Sequence, residues 1–207
     1  MWNLSLKGRV GLFGGTFNPL HNAHLIVAEK ALEQFELKEV IFIPSGIPPH
    51  KEVADGVSKE DRYEMVRRAI AGRPRFSVSR IEIDRDGPSY TIDTIRALRG
   101  KYPQGLCFIV GADLFSQIET WKEPKALLRS VPFIVAPRDG IKKDTFALPP
   151  FDQAEIHFLE MKEVDLSSTW VREAVREGKE FTRLVPSAVA DYIREHGLYR
   201  ELTKSLT

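Results

Sequence analysis

Two histidines three residues apart, His21 and His24, close the stretch GLFGGTFNPLHNAH that runs from Gly11 to His24. Residues so spaced at a helix start share a face, so both imidazoles can address one group. As hydrogen-bond donors they would stabilise charge developing on a phosphoryl group, through position and electrostatics rather than covalent chemistry. Two histidines also suit zinc, but a four-coordinate site needs more ligands, and no cysteine or third ligand lies nearby. Either histidine alone is as readily a cap or a solvated side chain, and a glycine pair fills many turns. What singles the stretch out is the combination. An apolar strand end (Val10 to Phe13), then Gly14 and Gly15, then Thr16-Phe17-Asn18-Pro19, then a helix start, aims backbone N–H groups and a positive helix end at one spot. Such a spot binds anions, phosphate above all.

Other segments offer polar groups that fit the same chemistry. Lys51 follows Ile47-Pro48-Pro49-His50, where two prolines stiffen the loop. Its ammonium would pair with an α-phosphate and with the charge that grows on a leaving pyrophosphate, or simply be solvated. Asp113, after Gly111-Ala112, is suited equally to accepting bonds from ribose hydroxyls and to capping the next helix. Trp121 is either a stacking platform for a flat ring or a core plug. The hydroxyls of Ser89, Tyr90, Thr91 and Thr94 open a helix, as caps or as contacts to a ligand carboxylate at its positive end. Ser167, Ser168 and Thr169 open another, and Arg172 adds a guanidinium fork, which makes a second anion cradle.

These residues need elements to hold them. Leu25, Ile26, Ala28, Leu32 and Phe35 give the run from Leu20 to Phe35 an apolar helical face. The residues 39–44 and 106–110 read as strands buried on both faces, and 131–136 and 155–159 as two further strands. From Phe76 to Asp84 apolar and polar residues alternate, as in a strand. Ser58 is expected to cap a helix over 59–71 with Asp61 as box partner. Further helices are expected over 90–101, 168–177 and 187–196. Strand and helix alternate throughout, which predicts an α/β fold: a Rossmann-like, doubly wound parallel sheet with flanking helices, in one domain over 1–207. In such sheets ligands gather beyond the carboxyl ends of the strands. Gly14–His24, 45–51, Asp113 and Arg138 all follow predicted strands there, so the candidates converge on one side.

Composition excludes other classes. With 30 Lys and Arg against 29 Asp and Glu, the chain has no net pull toward nucleic acid or an anionic membrane. The cluster Arg67, Arg68, Arg73 and Arg75 reads as the solvated end of a helix. One cysteine, Cys107, allows no intrachain disulfide and sits in an apolar run as a small buried hydrophobe. No signal peptide and no membrane span is expected, so the protein is expected to be cytoplasmic. A homo-oligomer is allowed by the sequence.

Gly14 to His24 resembles the motif G-G-[ST]-F-D-P-x-H-x-G-H of the nucleotidyltransferase superfamily related to class I aminoacyl-tRNA synthetases. Asn18 stands where that family usually has Asp, and Ala23 where it usually has Gly. The likeness extends along the chain: P-x-x-I-P-P-H-K, G-P-S-Y-T-x-D-T, G-A-D-x-F, a later Trp, S-S-T-x-x-R and V-P-x-x-V-x-x-Y-I-x-x-H-G-L-Y resemble bacterial nicotinate-nucleotide adenylyltransferases. The resemblance implies a nucleotidyltransferase-type fold and transfer of AMP from ATP, with Mg²⁺, to nicotinate mononucleotide. The products would be nicotinate adenine dinucleotide and pyrophosphate. It implies that His24 contacts the α-phosphate, and that His21, Ser168, Thr169 and Arg172 hold the ATP phosphates with Lys51 assisting. Gly14, Gly15, Thr16, Phe17 and Gly111 would line the ATP site, with Asp113 at the ribose and Arg138 beside the adenine. Thr91 and the backbone near Trp121 and Lys122 would take the nicotinate carboxylate, with Trp121 stacked on the pyridine ring. Rival readings are the same transfer to nicotinamide mononucleotide or phosphopantetheine, a non-catalytic nucleotide-binding module, and an RNA-binding synthetase-like domain.

Overall fold

Apolar residues in the strands alternate between two destinations, and this alternation builds the molecule. The computed structural model describes residues 5–49, 52–138 and 140–200. Six strands, β1 (Val10–Gly15), β2 (Glu39–Pro44), β3 (Phe76–Val78), β4 (Leu106–Gly111), β5 (Phe133–Ala136) and β6 (Ile156–Phe158), form one sheet in the order β3-β2-β1-β4-β5-β6. Every pairing is parallel. Val40 and Phe42 of β2, with Cys107 and Ile109 of β4, pack on one face. Ile41 and Ile43, with Leu106, Phe108 and Val110, pack on the other. A parallel sheet buried on both faces needs such unbroken apolar runs, which is why these strands read plainly in the sequence.

The first face is covered by α1 (Asn22–Gln34), α2 (Lys59–Ile70), α6 (Ser168–Arg176) and α7 (Ser187–Glu195), through Leu25, Ala28, Met65, Val66, Val171 and Val189. The second is covered by α3 (Thr91–Arg99), α4 (Ala112–Phe115) and α5 (Pro124–Leu128), through Ile92, Ile95, Phe115 and Leu127. Local signals set several of these helices. Ser58 Oγ accepts from the Asp61 N–H at 3.0 Å and Asp61 Oδ2 accepts from the Ser58 N–H at 3.3 Å, the expected capping box. Cys107 is fully buried against β1, and burial pushes its thiol up to about 12, consistent with a small hydrophobe. Arg67 and Arg68 do end α2 on the surface, paired with Glu64.

Two expectations are corrected, and two short helices are added. The alternation over 76–84 gives a strand only to Val78, paired with Phe42, because the chain turns away from β2 although β2 runs on to Pro44. Past Val78, Arg80 pairs with Asp84 at 2.8 Å and the chain turns, while Ile83 still buries its side chain. The short helices α4 and α5 fall outside the helices expected above. And the turn after β1 is not made by its glycines: Gly14 and Gly15 are the last residues of the strand, and the left-handed residue is Phe17, at φ 49°.

The chain runs outward from β1 to β3 and then crosses back to β4, beside β1. Neighbouring connections therefore diverge at the carboxyl ends of β1 and β4, where doubly wound sheets bind ligands. Among the described residues no helix is long and apolar enough to cross a membrane.

Candidate active site

A cavity of about 690 Å³ opens at that divergence. Its floor is the end of β1, and the starts of α1, α3 and α6 all reach it. Gly14, Gly15, Thr16, Phe17, His21 and His24 line it, as do Gly111, Asp113 and Arg138, Thr91, Trp121 and Lys122, and Ser168, Thr169 and Arg172. Every candidate site residue within the described chain is thus in one place. Lys51 lies outside the described residues, as does His50.

His21 is the residue before α1, with φ −133° and ψ 171°, and His24 lies in the first turn. Their rings stack with centroids 3.7 Å apart and 26° between planes. His24 Nδ1 accepts the His21 backbone N–H at 3.2 Å, so a neutral His24 carries its proton on Nε2 and can donate from there. Phe17 braces the His24 ring edge-on at 5.1 Å. His21 is only 2 % exposed, and burial, aided by the charge of Arg138, pulls its imidazole down to about 3. It is therefore neutral at ordinary pH.

The turn from Thr16 to Pro19 is held through its carbonyls by side chains of two other helices. Arg62 Nη1 donates to the Thr16 carbonyl at 2.8 Å, Arg172 Nη1 to that of Asn18 at 2.9 Å, and Ser168 Oγ to that of Pro19 at 2.9 Å. The start of α6 is thereby stitched to the start of α1. Of its three hydroxyls, Ser167 caps the helix through Trp170 N–H, Ser168 is spent on Pro19, and Thr169 accepts from Arg172 Nη2 at 3.2 Å. The charge of Arg172 is matched by Asp55, whose Oδ2 lies 3.0 Å from Nε and whose Oδ1 also meets Arg176 at 2.6 Å.

Asn18 has a local reason. Its Nδ2 donates to the Ala54 carbonyl at 2.9 Å and its Oδ1 accepts from Tyr199 Oη at 2.7 Å, in a buried setting. A carboxylate has no hydrogen for Ala54, so this network suits the amide. Ala23 lies inside α1, with its methyl buried, so a helical φ is what that position requires.

At the other end, Thr91 is the first residue of α3, and Tyr90 precedes it without a side-chain cap. Trp121 packs edge-on against Phe108 at 6.4 Å and borders the cavity. Lys122 Nζ pairs with Asp93 at 2.9 Å and sits 4.7 Å above the Tyr90 ring. Asp113 does not cap α4, since Gly111 holds that position. A Cβ on Gly111 would lie 2.5 Å from Asp113 Oδ1, so a larger residue there would make that carboxylate, which is half exposed and 3.7 Å from Arg138 Nε, swing aside.

Residues 12–174 match the family described as Cytidylyltransferase-like. A Moorella thermoacetica protein named probable nicotinate-nucleotide adenylyltransferase is 46% identical over 200 residues, covering 93% of this chain and 92% of that protein. One from Desulfitobacterium hafniense with the same name is 45% identical over 199 residues, covering 93% and 96%. The chain belongs to the nicotinate-nucleotide adenylyltransferase family. A solved Plasmodium falciparum nicotinic acid mononucleotide adenylyltransferase, complexed with NaAD, shares the fold, with TM-score 0.79 over 93% of this chain and 97% of that one, at 18% identity.

Several residues of the site escape sequence reasoning even within a recognised family. Asp55 sits in a loop with nothing to mark it. Arg62 is indistinguishable by type from its solvated neighbours on α2. Glu82, buried at the cavity wall with Thr94 Oγ1 donating to it at 2.6 Å, falls in a stretch that reads as an ordinary strand. Tyr199 is marked only by its place in the closing motif.

The depressed His21 has a consequence for stability. Between about pH 6.5 and pH 3 the unfolded chain holds a proton on this imidazole that the folded protein does not. Stability therefore rises with pH across that window, and the contribution is complete above it. Glu64, which its arginine partners hold at about 2, acts in the same direction at lower pH. In urea unfolding, the loss of stability from pH 7 to pH 5 is expected to be about 1–2 kcal/mol smaller for His21→Gln than for the unaltered protein. Equal losses would mean that His21 is not buried neutral.

Proposed function

We propose that the protein transfers the adenylyl group of ATP to nicotinate mononucleotide, giving nicotinate adenine dinucleotide and pyrophosphate, a step toward NAD. The observation that carries this is the meeting of three helix starts, α1, α3 and α6, on one cavity at the β1–β4 divergence, with room for two nucleotides. Close relatives bearing the same activity in their names agree with it.

A phosphate oxygen of the mononucleotide attacks the α-phosphorus of ATP while the bond to the β-phosphate oxygen breaks, and pyrophosphate leaves with the electron pair. The acceptor's phosphate is already a nucleophile, so no side chain need form a covalent intermediate. Holding the two reactants in line supplies much of the acceleration. His24 donates from Nε2 to the α-phosphate as charge builds, with the neutral His21 stacked beneath it. Arg172 turns from Asp55 to the phosphates, with Ser168, Thr169 and Lys51 beside it. The N–H groups of Thr16 and Phe17, in the turn after β1, donate to the triphosphate. Asp113 takes the ribose, and Arg138 flanks the adenine. Among the described residues no group of three or more His, Cys, Asp or Glu is placed to hold a metal, so in this proposal Mg²⁺ enters as a ligand of the triphosphate. The nicotinate carboxylate meets Thr91 at the positive end of α3, with Trp121 against the ring. The reaction would take place in the cytoplasm.

A helix start stabilises a partly buried anion by up to about 2 kcal/mol, and a neutral amide loses that. With ATP and Mg²⁺ saturating, pyrophosphate release is expected to be faster with nicotinate than with nicotinamide mononucleotide, on the order of tenfold. Equal rates would remove the carboxylate from recognition at α3. His24→Ala is expected to lower kcat on the order of 10²- to 10³-fold with the melting temperature little changed. A mild effect would take His24 out of the transition state.

A further inference from the structure

Arg62 is 1 % exposed, does not border the cavity, and is the bulkiest fully buried side chain among the described residues. Burying an arginine is costly unless its donors are used. Here Nη1 donates to the Thr16 carbonyl at 2.8 Å and Nη2 to the Gly46 carbonyl at 2.9 Å. Among the described residues no carboxylate pairs with it, and Nε has no hydrogen-bond partner. Burial draws the guanidinium down to about 10, so it remains charged at neutral pH. A cation kept in the interior to hold two backbone carbonyls is not explained by stability alone.

The two carbonyls lie just past the paired ends of β1 and β2, on segments that lead to different parts of the site. Thr16 lies in the turn between β1 and α1. In a trans peptide the C=O and the following N–H point opposite ways, so fixing the Thr16 carbonyl toward Arg62 aims the Phe17 N–H away from it, on the side where Phe17 borders the cavity. Gly46 lies in the loop after β2, and that loop is tied to the acceptor wall. Ser89 Oγ accepts from the Gly46 N–H at 2.9 Å and from the Ile47 N–H at 3.3 Å. Ser89 also bonds the buried Glu82, which takes Thr94 Oγ1 from the first turns of α3. A Cβ on Gly46 would fall 2.1 Å from the Glu82 carbonyl oxygen, so the two segments touch without room for adjustment. One buried polar chain thus runs from the phosphate turn through Arg62, Gly46, Ser89 and Glu82 to α3.

We propose that Arg62 is a positioning residue for the transfer reaction, a strut that fixes the separation of the ATP-phosphate turn from the α3 wall that holds the acceptor. The inference rests on the proposed adenylyl transfer, because only a reaction joining two substrates held on those two walls needs their distance set. Each substrate touches one wall, so each still binds when the strut is loosened, but the attacking oxygen and the α-phosphorus no longer meet in line. Lysine keeps the charge but not the planar pair of donors.

The test is steady-state kinetics of Arg62→Lys with both nucleotides varied, alongside thermal unfolding. The expected result is a fall in kcat on the order of 10- to 100-fold, with each KM within about threefold of the unaltered value. Unchanged kcat, whatever the melting temperature, would reduce Arg62 to a structural residue, and a loss confined to either KM would make it a binding residue; both overturn the proposal. If Arg62→Lys does not fold, Ser89→Ala probes the same chain from its far side. It is expected to lower kcat more than either KM, and full turnover in that variant overturns the strut. An unaltered protein that forms no dinucleotide counts against the reaction, whereas an active one with an equally active Arg62→Lys counts against the strut alone.

Discussion

Three backbone carbonyls of one turn, those of Thr16, Asn18 and Pro19, are each taken by a side chain from a distant helix: Arg62 of α2, Arg172 and Ser168 of α6. The rest of the site depends on these bonds. The turn holds Phe17 in the left-handed region, at φ 49°, a conformation that costs an ordinary residue about 1–2 kcal/mol. Hydrogen bonds from charged donors contribute about 1.5–3 kcal/mol each, enough to offset that strain. With the Thr16 carbonyl drawn away from the cavity by Arg62, the Phe17 N–H is left to face it. The same bonds bring the starts of α1 and α6 together, so two positive helix ends share one cavity.

Several charges of the cavity are paired before any nucleotide arrives. Asp55 is shared between Arg172 and Arg176, which leaves that group net positive, Asp113 lies near Arg138, and Lys122 is paired with Asp93. His21 is kept neutral by burial and by Arg138. Donors held in place in this way need little rearrangement as charge shifts toward the leaving group, which is where electrostatic catalysis gains most.

The sheet was legible because β1, β2 and β4 bury both faces and so carry continuous apolar runs, and because Ser58 and Asp61 write a capping box in the sequence. The edge strand β3 was overextended: alternation continued past Val78, where the chain turns away from β2. Helices α4 and α5 were missed because four or five residues show no helical period, although Pro124 stands at the first position of α5. Within the site, the residues at the strand ends could be gathered by the rule that ligands lie beyond the carboxyl ends. The residues that brace them could not. Arg62 looks like Arg67 and Arg68 until packing decides which face of α2 is buried. The preference for an amide at Asn18 emerges only when Ala54 and Tyr199 close around it.

The central claim is that both nucleotides lie in one cavity and react directly, with the acceptor oxygen opposite the departing pyrophosphate. The most direct measurement is the stereochemistry at the α-phosphorus, followed with ATP made chiral there by an α-thiophosphate. A single in-line displacement gives a dinucleotide with inverted configuration. Retention would require two displacements through an adenylylated side chain, and would contradict the account.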